Sequence, residues 1–73
     1  MLTIGEEYFI NSIKGYFKGN LVEFDNDYIK LENATMLYNQ YRTANIFDYA
    51  YHDGEIEFDR EQIFGIHQEK DFN

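Results

Sequence analysis

The chain has no cysteine, no proline and no tryptophan, and only one serine and two histidines among its 73 residues. Without cysteine there is neither a disulfide framework nor a thiolate metal ligand, and two histidines fall short of the sets that hold structural zinc. Nucleophilic catalysis is reduced to a single candidate, Ser12, which excludes most enzyme classes built on serine or cysteine. No apolar run approaches the ~20 residues that span a bilayer, and the first seven residues lack the basic start of a signal peptide. With cysteine absent as well, a cytoplasmic location is expected. The lack of proline removes one common guard of exposed sheet edges and leaves charge to serve instead.

Positive charge is also scarce. Fourteen acidic residues face six basic ones, for a net charge of −8. Such a field repels phosphate backbones and anionic membranes and attracts basic partners. Direct binding of nucleic acid or membrane is therefore disfavoured. Seven Phe and seven Tyr raise the hydrophobic fraction to 44%, too high for a disordered acidic tail. One small folded domain is implied. Because a chain near 60 residues buries only about 60% of its unfolded surface, stability must come from packing of these rings or from a homodimer.

Along the chain, Thr3-Ile-Gly-Glu6 has the form of a capping box, Ile4, Tyr8, Phe9 and Ile13 recur near helical spacing, and Gly15 stands where a C-cap glycine is wanted. The pattern predicts a short helix over residues 3–14, although Tyr8-Phe9-Ile10 also suits a strand. From Tyr16 the period becomes two, giving a strand to Phe24 that ends at the turn Asp25-Asn26-Asp27. Tyr28 to Glu32 alternates again. Asn33-Ala34 reads as a connection, and Thr35 to Tyr41 lacks clean alternation. Asn45 to His52 reads as a strand with an aromatic face leading into Asp53-Gly54, a strong hairpin signal. A strand over Glu55 to Asp59, a turn at Arg60-Glu61, a last strand over Ile63 to His67 and a frayed tail at 69–73 complete the chain. The expected fold is α+β: an N-terminal helix followed by a strongly bent antiparallel sheet or small barrel of about five strands spanning residues 16–67.

In the strand after Asp53-Gly54, Glu55, Glu57 and Asp59 point to one side, with Glu61 in line beyond them, and Ile56 and Phe58 point to the other. Two residues of strand rise, roughly 6.7 Å, come close to the roughly 7 Å between successive phosphates of a DNA strand. The acids are unevenly distributed. Residues 48–73 hold eight acids and two bases, a net of −6, whereas residues 1–47 hold six acids and four bases, a net of −2. Glu23, Asp25 and Asp27 repeat the alternate spacing. Carboxylates placed side by side cost stability, which argues that the field is useful. A solvated strand face is the plainer alternative. Tyr28, Tyr49 and Tyr51, together with Asp48 and Asp53, complete the candidate partner surface, because tyrosine pairs apolar area with a polar tip.

Other chemistry is weakly supported. Paired carboxylates on a solvated strand lack the asymmetric environments that acid–base work requires. Asp25, Asp27 and Glu32 suggest a hard-cation site, but Lys30 and Met36 occupy the positions where an EF-hand needs glycine and glutamate. Neither a metal nor a cofactor is expected.

Two resemblances follow from these residues. Gly19-Asn-Leu-Val-Glu-Phe-Asp25 with Tyr28-Ile-Lys-Leu-Glu-Asn-Ala34 resembles the first motif of Sm-like proteins, and Gly54-Glu-Ile-Glu-Phe-Asp59 with Ile63 to Ile66 resembles the closing strands of the second. This implies a small bent barrel acting as an oligomeric scaffold. Asp59-Arg60-Glu61 stands where the family has the Arg-Gly step near its RNA site. In composition the chain is similar to the small acidic host-takeover proteins of lytic phages. Several of those imitate DNA and block nucleoid protein HU, restriction factors or RNA polymerase. That likeness implies a non-enzymatic inhibitor whose carboxylates stand in for phosphates on a basic DNA-binding protein.

Overall fold

The structure, a computed structural model, describes residues 1–38 and 54–72. Among them five antiparallel strands form one sheet: β1 (Glu7–Ser12), β2 (Gly15–Phe24), β3 (Tyr28–Tyr38), β4 (Ile56–Asp59) and β5 (Ile63–His67), in the order β4-β3-β2-β1-β5. The expected α+β class is overturned. Among the described residues there is no α-helix, only 3₁₀ turns at Arg60–Gln62 and Glu69–Phe72. The sheet is open, with β4 and β5 as its two edges, so neither the small barrel nor the barrel implied by the Sm-like pattern is present. The strand read over Asn45 to His52, and with it Asp53, lies outside the described residues.

Residues 3–14 do not form a helix because the core is lined at every second position. Tyr8, Ile10 and Ser12 are buried and alternate with Phe9 and Asn11, whereas Ile4 and Ile13, both needed by a helical face, are exposed. Gly5 has φ +93°, a left-handed conformation incompatible with continuing a helix. Thr3 and Glu6 form a main-chain turn, Glu6 N–H donating to Thr3 O at 3.2 Å. Gly15, with φ +127°, closes the β1–β2 hairpin, where Ser12 and Gly15 are register partners. The Ser12 Oγ–H donates to Gly15 O at 2.9 Å and Oγ accepts from Lys14 N–H at 3.1 Å, so this fully buried hydroxyl is satisfied inside the turn it fixes.

β3 runs through the position expected to be a connection. Glu32 pairs with Asn20 and Thr35 with Lys18, so one extra residue is inserted as a β-bulge, with Asn33 at φ +52°. The bulge changes the inward parity from Ile29 and Leu31 to Ala34 and Met36. It packs directly over Gly19. A Cβ there would lie 3.0 Å from Glu32 O, 3.1 Å from Leu31 Cβ and 3.2 Å from Ala34 Cα.

The core comprises Tyr8, Ile10, Phe17, Leu21, Ile29, Leu31, Ala34, Ile56 and Phe58, with Leu2, Met36, Ile63 and Ile66 packed against it. Phe17 and Phe58 meet edge to face at 5.4 Å between centroids. The three residues Arg60–Gln62 join strands on opposite edges of the sheet. Laid flat, five strands would separate those edges by roughly 19 Å at about 4.8 Å per strand, whereas three 3₁₀ residues rise only about 6 Å. The sheet must therefore coil around its core. Lys14 bridges the coil, its Nζ donating to Glu57 O at 2.6 Å and lying 5.7 Å from the centre of the Phe58 ring. Ile13 N–H donates to Gln62 O at 2.8 Å. Glu69–Phe72 form a 3₁₀ turn, with Gln68 N–H donating to Asp71 Oδ2 at 2.7 Å and Gln68 Nε2 to Glu6 Oε1 at 2.6 Å.

The crowding at Gly19 makes Gly19→Ala destabilising by about 1–3 kcal/mol in urea unfolding, the usual cost of forcing volume into a packed site. Gly65 on β5 has open space where its Cβ would stand. Gly65→Ala is accordingly expected to be neutral or to stabilise by up to about 1 kcal/mol through the unfolded chain.

Candidate functional site: an acidic sheet face

β4 alternates cleanly, with Ile56 and Phe58 in the core and Glu57 and Asp59 exposed. Its register partners on β3 are Tyr28 opposite Asp59 and Lys30 opposite Glu57. On the other side of β3, Lys30 is opposite Glu23 of β2. Three adjacent strands thus bring Glu23, Tyr28, Lys30, Glu57 and Asp59 to one outward face, with Glu55 at the head of β4 and the Asp25–Asp27 turn at the far end.

The turn is shaped by its own side chain. Asp25 Oδ1 accepts Asp27 N–H at 2.7 Å and Tyr28 N–H at 3.1 Å, while Asp25 N–H donates to Tyr28 O at 3.0 Å. This is the Asx geometry that short acidic side chains favour. Arg60 ties the turn to the end of β4. Its Nε and Nη2 donate to Asp25 O at 3.0 and 2.8 Å, and its backbone N–H donates to Asp27 O at 2.9 Å.

The two acidic groups separated by some thirty residues in sequence are therefore neighbours, and the contacts joining them run through β3 and Arg60. Glu61 is exposed on the 3₁₀ turn and leaves the ladder, which ends at Asp59. Asp48, Tyr49, Tyr51 and Asp53 lie outside the described residues. The rungs do not face other carboxylates across the strands. They face a tyrosine and a lysine, which relieves the like-charge repulsion that adjacent acids would suffer. Lys30 Nζ pairs with Glu55 Oε1 at 3.8 Å, both half exposed, an arrangement worth no more than about 1 kcal/mol. Among the described residues the carboxylates of Asp27, Glu57 and Glu61 carry no hydrogen bond or ion pair.

Tyr28 stands at the centre of this face. Its hydroxyl donates to Glu23 Oε1. That hydrogen bond, partial burial and the negative charges of Glu23, Asp25 and Glu57 push its phenol up to about 12. Each cause disfavours a phenolate, because the proton is held between an oxygen and an acceptor in a negative field.

A second outward cluster was not legible as a unit in the sequence. Phe9 of β1 stacks on His67 of β5 at 5.8 Å, with the rings within 2° of parallel, and Tyr16 Oη and His67 Nε2 are 2.7 Å apart. Phe9 and His67 are register partners, which sequence alone could not pair. Ser12, the single nucleophile candidate, is fully buried and hydrogen-bonded to its own hairpin. Among the described residues no trio of His, Asp or Glu stands where it could hold a metal ion, and no helix is long and apolar enough to cross a membrane.

The phenol of Tyr28 should be visible as the difference in phenolate absorbance between the wild-type protein and Tyr28→Phe, with a midpoint near 12. Glu23→Gln removes the largest cause and returns the midpoint toward the ordinary 10.0. Because the folded protein holds this proton more tightly than the unfolded chain, the linked stability is complete below pH 10 and is lost as pH rises through 12. A Tyr28 midpoint at 10 in the wild type would contradict the Glu23 hydrogen bond.

Compared with known proteins, the chain matches no family model, no curated protein and no solved structure.

Proposed function

We propose that this protein is a non-enzymatic acidic binding module that imitates DNA, occupying the nucleic-acid surface of a basic DNA-binding protein such as a nucleoid protein, a polymerase or a defence factor. One observation carries the reading: the Glu23–Asp27 acids and the Glu55–Asp59 ladder share one face, joined by β3 and Arg60. Six carboxylates gather there, at Glu23, Asp25, Asp27, Glu55, Glu57 and Asp59, against Lys14, Lys30 and Arg60, a local net charge of −3. Two of these cations serve main-chain carbonyls, Lys14 at Glu57 and Arg60 at Asp25, so they neutralise no carboxylate directly. Carboxylates held on a strand at roughly phosphate spacing suit the lysines and arginines of a DNA-binding surface. Tyr28 supplies apolar area among them, as tyrosine does at protein interfaces.

The test is capture of purified nucleoid protein HU, with duplex DNA as competitor and salt as a second variable. Mimicry predicts that DNA releases the captured protein and that affinity falls steeply from low to high ionic strength, because charge contacts dominate. The triple variant Glu55→Gln, Glu57→Gln, Asp59→Asn takes the net charge from −8 to −5 and is expected to bind about tenfold or more weakly. Binding that ignores both salt and these three changes would sink the proposal for this partner class.

A further inference from the structure

Arg60 sits between Asp59 and Glu61 and next to the Asp25–Asp27 turn, yet among the described residues it forms no ion pair with a carboxylate. Its donors go to main-chain oxygens instead: two from the guanidinium to Asp25 O, and the amide to Asp27 O. A guanidinium with acids on both sides of it in sequence and in the adjoining turn has every electrostatic reason to pair with one of them. The guanidinium instead clasps the Asp25 carbonyl beside the bond from the residue's own amide to Asp27 O, which makes its role mechanical.

The hydrogen bonds inside the turn, from Asp27 N–H and Tyr28 N–H to Asp25 Oδ1, set its shape but not its place. The β3–β4 ladder stops at Tyr28 opposite Asp59, the last register pair before the turn. Beyond that pair, Arg60 carries the connection. Gln62 supports it from behind, its Oε1 accepting Asp59 N–H at 3.1 Å and fixing the start of the 3₁₀ turn on which Arg60 stands.

We propose that Arg60 is a positioning residue for the acidic face, tying the Asp25–Asp27 turn to the end of β4 so that both acidic rows meet a basic partner as one fixed array. The inference rests on the reading of this face as a partner surface, but its mechanical half needs no partner to be measured. It also opposes simple electrostatics. If Arg60 merely screened the acids, its removal would strengthen attraction to a basic protein. If it positions them, removal weakens binding, because a mobile array loses the advantage of preorganisation.

The experiment compares the wild type with Arg60→Gln and Arg60→Lys. Lysine keeps the charge but cannot present the planar fork. In both variants the amides of Asp27, Tyr28 and residue 60 should exchange about tenfold faster with solvent than in the wild type, while those of Ile10 and Phe17 in the core strands stay unchanged. Titration against HU at low salt should show both variants binding about tenfold more weakly, even though Arg60→Gln adds one net negative charge. Unchanged exchange at the turn overturns the proposal, as does an Arg60→Gln variant that binds HU as tightly as the wild type or more so. If the wild type itself does not bind HU, the partner reading fails with that probe. The exchange comparison then decides for Arg60 alone: faster turn amides support its positioning role, and unchanged amides refute it.

Discussion

Three residues connect the two edges of a five-stranded sheet, and the rest of the molecule depends on that short link. A flat sheet cannot satisfy it, so the strands coil and wrap one face around Phe17, Phe58 and the aliphatic residues between them. Coiling gives a small chain without disulfides a core in which, among the described residues, seven side chains are essentially inaccessible to water, Ser12 being one of them. It also determines what lies outside. The outward face of β2, β3 and β4 is convex and solvated, and it gathers acids from strands that are remote in sequence. The surface charge is thus a product of the fold, because the link that coils the sheet also carries Arg60, which holds the acidic turn.

The fold was legible where alternation was undisturbed. β2 and the acidic run of β4 could be read from period two, since Phe17 and Leu21 face inward along β2 and Ile56 and Phe58 along β4, whereas β5 sets Ile63 and Ile66, three residues apart, on the core across a register shift. The N-terminal strand carries a helical pattern for a definable reason. A spacing of four, as between Ile4 and Tyr8, fits a helix of period 3.6 and a strand of period two equally well. The deciding positions were obscured, since Ser12 faces the core as a polar residue while the apolar Ile13 is exposed in the hairpin turn. β3 was cut short for another reason. The bulge at Asn33 changes inward parity from odd to even positions, so a continuous strand looks like two fragments with a loop between them. No local pattern signals an inserted residue unless the facing strand is known.

The candidate site divides along the same line. Alternation identified Glu55, Glu57 and Asp59 as one row and the Asp25–Asp27 turn as another, because both are local features. That the rows adjoin is a property of strand order, with β3 between β2 and β4, which composition and period do not contain. Glu61 was placed in the row by continuing the count past Asp59, but the chain turns there into a 3₁₀ segment and the count no longer applies. The roles of Tyr28 and Arg60 depend on partners at sequence separations of five and thirty-five. The first is nearly local and was anticipated as a surface tyrosine; the second was not visible at all.

Acidic surfaces on small domains raise a question of cost, because like charges repel and little core is available to offset them. Here the cations on this face are assigned to the seams of the fold. Lys14 bonds a carbonyl of β4, Arg60 bonds a carbonyl of the β2–β3 turn, and Lys30 stands between Glu23 and Glu57 across three strands. Each reduces repulsion at a distance, and the Lys14 contact also bridges the coil. The carboxylates consequently fall into two groups. Asp25 and Glu23 also hold the structure, Asp25 by accepting the Asp27 and Tyr28 amides and Glu23 by accepting the Tyr28 hydroxyl. Asp27 and Glu57 hold nothing through their carboxylates among the described residues, and Glu61 likewise. Their charge costs some repulsion, which Lys30 opposite Glu57 offsets in part, while Glu57 on the edge strand β4 also guards the sheet against edge-to-edge pairing.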